Sequence, residues 1–146
     1  MSKRLGTPYL RGKSDVIENA APYNGSAVAE GLAVCRHSDG TIKAVSSASD
    51  VIIGVAAMKE HKYQSFIRTG LEVYVPLAEG ANPSKGAAVY VQASTGKFTE
   101  AAQTGTGGDA VNNIAVNATF SSGKETVVNS AGTTCDGAAI DFPGGL

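Results

Sequence analysis

The stretch that most constrains this chain is residues 69–98. Thr69-Gly70-Leu71-Glu72-Val73-Tyr74-Val75-Pro76-Leu77 is followed by a polar connection, then by Gly86-Ala87-Ala88-Val89-Tyr90-Val91-Gln92, a turn, and Gly96-Lys97-Phe98. Leu71, Val73, Val75 and Leu77 alternate with Glu72, Tyr74 and Pro76, and Val89 and Val91 repeat the pattern against Ala88, Tyr90 and Gln92. Successive side chains of a strand point to opposite faces, so each segment is expected to bury one face and leave the other mixed. The connection, Glu79-Gly80-Ala81-Asn82-Pro83-Ser84-Lys85, is turn chemistry: glycine supplies unusual φ, proline fixes φ, and asparagine bonds locally. The chain leaves one strand, turns and enters another.

The rest reads as further strands around this pair. Leu32-Ala33-Val34-Cys35-Arg36 and Ile42-Lys43-Ala44-Val45 flank Ser38-Asp39-Gly40-Thr41, a hairpin turn in which Asp-Gly takes positive φ. Residues 51–58 are apolar without clean alternation, which suits a strand buried on both faces, and Gly54 within them marks a bulge or a close backbone approach. A polar excursion is expected over residues 59–64 and a short strand over residues 65–68. Ile114, Val116, Ala118 and Phe120 alternate again, and short apolar runs follow at residues 125–128 and 137–142. Apolar residues at helical spacing never persist for three turns. About eight short strands separated by turn signals imply an all-β domain, a small jelly-roll-like sandwich or barrel. We expect an extended N-terminal arm over residues 1–15, anchored by Leu5, Tyr9 and Leu10, and a single β domain over residues 16–146. The glycine-rich loop at residues 103–109 is expected to be the most flexible stretch, or a contact loop.

At 146 residues the chain suits one domain and can bury enough surface to fold without a metal or disulfide. Only 17% of residues are charged, against about a quarter in an average soluble domain, and there is no tryptophan. That composition predicts a thin core spread over many strands and a subunit that gains stability from neighbours. A net charge of −1 supplies no global field for nucleic acid. The distribution is lopsided, however. Lys3, Arg4, Arg11 and Lys13 precede the first acid, while Glu100, Asp109, Glu125, Asp136 and Asp141 face only Lys124 near the other end. A basic head and an acidic tail can meet in a neighbouring copy or stay solvated, exposed pairs being worth only about 0–1 kcal/mol. No apolar segment follows the basic start, and the run at residues 51–58 is too short to span a bilayer, so a chain used in a reducing cytosol is expected. Cys35 and Cys135 are then free thiols, a disulfide between them being the alternative.

Catalytic signals are poor. His37 lies beside the hairpin turn and His61 in a charged stretch, and their spacing to Cys35 or Asp39 matches no zinc signature. Gly105-Thr106-Gly107-Gly108 lacks the following helix that a phosphate loop needs. No metal, cofactor or catalytic residue is assigned, and no enzymatic activity is expected. Tyr74 and Tyr90 are expected on the outer face of the central pair with Glu72, where exposed aromatics bind sugar or a protein partner.

Taken in order, Glu30-Gly31-Leu32-Ala33-Val34, the Asp39-Gly40 hairpin, Ile53-Gly54-Val55-Ala56, the strand pair at residues 69–91, Thr95-Gly96-Lys97-Phe98 and the closing Gly137-Ala138-Ala139-Ile140-Asp141-Phe142 form a set that resembles the cement, or decoration, proteins of tailed bacteriophage capsids. The resemblance covers residues 27–142. It implies a small β-barrel or jelly-roll-like domain on the outside of an icosahedral head, assembled in the host cytoplasm. It further implies dimers or trimers that bridge neighbouring major capsid proteins, with no nucleic-acid or membrane partner and no catalysis. The surface expected to carry the contacts comprises Lys3, Arg4, Tyr9, Arg11, Lys13, Tyr74 and Tyr90, and deletion of residues 1–13 is expected to weaken attachment while leaving the fold intact. A head under internal DNA pressure gains from many modest contacts, because bridging two subunits makes the second contact effectively intramolecular. Two other readings compete: a carbohydrate-binding β domain using Tyr74, Tyr90 and Glu72, and a small hydrolase with His37 or His61 as base.

Overall fold

The computed structural model of the chain describes residues 3–7, 17–23, 25–60 and 63–146. Twelve strands run through these residues: β1 (Ile17–Pro22), β2 (Ala33–Arg36), β3 (Ile42–Ala44), β4 (Ile52–Glu60), β5 (Tyr63–Pro76), β6 (Ala88–Val91), β7 (Phe98–Thr99), β8 (Gln103–Thr104), β9 (Val111–Asn112), β10 (Ile114–Phe120), β11 (Glu125–Val128) and β12 (Thr134–Phe142). Among the described residues there is no α-helix, only a single turn of 3₁₀ helix at Gly107–Asp109. The protein is all-β, a small antiparallel sandwich or barrel, as the strand and turn pattern predicts. Strands outnumber the expected eight because two-residue ladders such as β7, β8 and β9 leave no periodicity to read.

β5 is the spine. It is 14 residues long and absorbs the expected short strand together with Tyr63 and Gln64 of the expected polar excursion. Its first half pairs with β1 and β4, its second half with β12. From it the sheet runs one way as β4-β2-β3 and the other as β12-β10-β6-β7, with β11 beside β12. Both wings curl back. A parallel bridge joins Tyr23, just after β1, to Ile42 of β3. Another joins Leu77, just after β5, to Phe98 of β7, where the Ala78 N–H donates to the Phe98 carbonyl at 2.8 Å. Curling hides the sheet edges, which would otherwise template unwanted pairing.

The shared wing has two buried faces. Ala33, Cys35, Val55 and Ile67 join the main core with Val73, Val75, Val89, Val91, Phe98, Phe120, Ile140 and Phe142. Their neighbours Val34, Ala56 and Phe66 point the other way into a second core with Ala21, Val28 and Ile42. This two-sided burial is why residues 51–58 do not alternate. Gly54 carries both of its expected roles. The β2–β4 register shifts beside it, and a Cβ there would lie 2.6 Å from the Ile67 carbonyl oxygen and 2.7 Å from Phe66 Cδ2. Gln64 is fully buried and fully used, accepting from the Val28 N–H at 3.0 Å and donating to the Ala57 and Ser65 carbonyls at 2.9 and 3.1 Å.

Residue 72 breaks the alternation read from the central strand. Between the pairs Val73↔Ile140 and Gly70↔Phe142 the β5 strand carries one residue more than β12. Glu72 sits there at φ 52°, a left-handed conformation that costs a non-glycine residue about 1–2 kcal/mol. Its N–H, displaced from the ladder, donates instead to Asp141 Oδ1 at 2.7 Å. The bulge leaves Leu71 half-buried rather than in the core, while Val73 and Val75 hold the inner face as expected.

Candidate interaction surface

Residues 3–7 are built into the domain. Residues 3–7 enter a slot between β11 and β5. The Leu5 N–H donates to the Val128 carbonyl at 2.9 Å and the Val128 N–H to the Lys3 carbonyl at 3.0 Å. One residue on, the Gly6 N–H donates to the Tyr74 carbonyl at 2.9 Å and the Tyr74 N–H to the Thr7 carbonyl at 3.0 Å. The segment thus behaves as a short added strand with ladder bonds to both walls. Leu5 is 6% exposed and forms a small core with Tyr74, Val127 and Ala139. Gly6 is needed at its position: φ is 66°, and a Cβ would collide with the Ala56 carbonyl.

Charge closes the slot at the segment's start. Lys3 Nζ meets Glu125 Oε1 at 2.5 Å, so the basic head meets the acidic tail within one chain. Arg4 Nη2 lies 3.6 Å from Glu30 Oε2, and the other oxygen of Glu30 accepts from the Ser130 hydroxyl. Arg4 Nε and Glu30 Oε2 are both buried, and among the described residues neither has a hydrogen-bond partner beyond that ion pair.

Of the residues expected to make contacts, Lys3 and Arg4 are therefore half-buried ion-pair partners. Tyr9, Arg11 and Lys13 lie outside the described residues, as does His61. Tyr74 is corrected: at 4% exposure it lies beneath Leu5 and offers no outer aromatic face. Beyond the bulge the alternation of its strand holds, but a segment nearly seventy positions away covers the face assigned to solvent. Tyr90 is half-buried on β6, and Glu72 is the bulge residue. Leu5 anchors the chain's start as expected, whereas Leu10 lies outside the described residues. Glu30, Ser130 and Val128 were not legible as slot residues, since nothing local distinguishes them from ordinary loop and strand positions.

The glycine-rich loop is ordered differently from its composition. β8 and β9 form a two-stranded ribbon pinned by Gln103–Asn112 at 2.9 Å, Thr104–Asn113 at 3.0 Å and the Asn113 amide donating to the Ala101 carbonyl at 2.9 Å. None of residues 101–113 is buried, and Val111 is 57% exposed. A shallow groove of about 200 Å³ runs along the ribbon's base, lined by small and polar residues including Ala81, Gln92, Glu100 and Thr104.

At the β2–β3 hairpin, Asp39 accepts from the Thr41 hydroxyl and N–H at 2.6 and 2.9 Å, which holds its pKa at about 2, with His37 Nδ1 3.1 Å away. Asp50 accepts from the Ser46 and Ser47 N–H groups and from Lys43, at 2.9, 3.0 and 2.9 Å. Burial pushes the Asp50 carboxyl up, but these donors outweigh it and hold the pKa at about 2. Cys35 is buried and Cys135 exposed, both as free thiols, and burial pushes the Cys35 thiol up, away from the reactive thiolate. Among the described residues no three of His, Cys, Asp and Glu converge as metal ligands.

No protein-family model matches the chain, and no curated protein matches it. A chain in the solved structure titled "The capsid of Myoviridae Phage XM1" superposes with a TM-score of 0.71 at 18% identity, covering 100% of this chain and 94% of that one. At that identity the match establishes a shared fold.

Proposed function

We propose that this chain is a structural protein of a phage particle, bound to the outside of an icosahedral head, where it stabilises contacts between major capsid proteins. The observation that carries the reading is the end-to-end correspondence with a chain of a phage capsid structure. Both chains match over nearly their whole lengths, so the shared unit is the entire domain and not a widespread hairpin motif within it. The exposed β8–β9 ribbon is consistent with a contact role, since none of residues 101–113 is buried. The sugar-binding alternative loses its platform, because Tyr74 is buried and cannot stack with Tyr90 against a ligand.

Mass spectrometry of purified particles from the phage encoding this chain tests the reading. The chain should be present at a copy number comparable with that of the major shell subunit. Its absence, or presence at only a few copies per particle, would remove the proposal.

A further inference from the structure

We draw no further inference here: the strongest candidate, the shallow groove of about 200 Å³ between the base of the exposed β8–β9 ribbon and the loop at residues 78–81, lined by small residues with Glu79 and Glu100, carries nothing, because nothing in the structure shows what covers it.

Discussion

Glu72 and Asp141 show how one residue pair can set a strand's course. A left-handed glutamate is tolerated because the Asp141 carboxylate replaces the ladder acceptor that its N–H lost. Glycine adopts that conformation freely, so Glu72→Gly should be neutral or stabilise by up to about 1 kcal/mol in denaturant melts. Asp141→Ala strands the N–H and should cost about 1–3 kcal/mol. Asp50 makes a pH-dependent contribution. Its carboxyl titrates at about 2 in the fold, below its ordinary value of 3.8. The contribution is therefore complete above about pH 4 and is lost as pH falls toward 2. Thermal melts between pH 2 and pH 6 should show a steeper acid-side decline for the native chain than for Asp50→Asn, and parallel curves would contradict the assignment. None of this was legible in the sequence: a positive φ at glutamate has no local signature, and Gln64 resembled a solvent-facing residue until Val28 supplied its partner.

At the scale of elements, patterns dominated by burial were readable and those dominated by distant chain were not. The β2–β3 turn at Asp39-Gly40, the inner face of β6 and the two-sided burial of β4 all follow from residue order, because each reflects which neighbours are apolar. Tyr74 and the slot at residues 3–7 depend on contacts between segments far apart in the chain, which a periodicity cannot encode. The ribbon of β8 and β9 was not legible for another reason: its glycines serve the turn, while Gln103, Asn112 and Asn113 supply the pairing. Its ends already meet, the Asn113 N–H donating to the Ala102 carbonyl at 2.9 Å. Replacing residues 103–112 by a two-residue Asn-Gly turn should therefore shift the melting temperature by less than about 5 °C, since no buried residue is lost. A larger drop would mean that the ribbon supports the core.

For the whole molecule, the seating of residues 3–7 changes what truncation does. Removing residues 1–13 uncovers Tyr74 and Val127 as well as deleting the chain's basic start, so the fold should not escape unaffected. Leu5→Ala isolates the packing part and should destabilise by about 2–4 kcal/mol in equilibrium unfolding. A change under about 1 kcal/mol would show that the segment rests on the surface without contributing to it. The all-β architecture was legible throughout, because turn chemistry and alternation recur along the chain. The slot that seats residues 3–7 was not, because Tyr74, Val127 and Ala139 reach it from three separate strands. The central claim is that this domain works by docking on a shell, and a cryo-electron-microscopy map of the purified phage head tests it most directly. The account predicts density fitting this β domain at symmetry-related positions on the outer surface, each copy touching adjacent shell subunits. A complete map of the head with no such density outside the shell would contradict it.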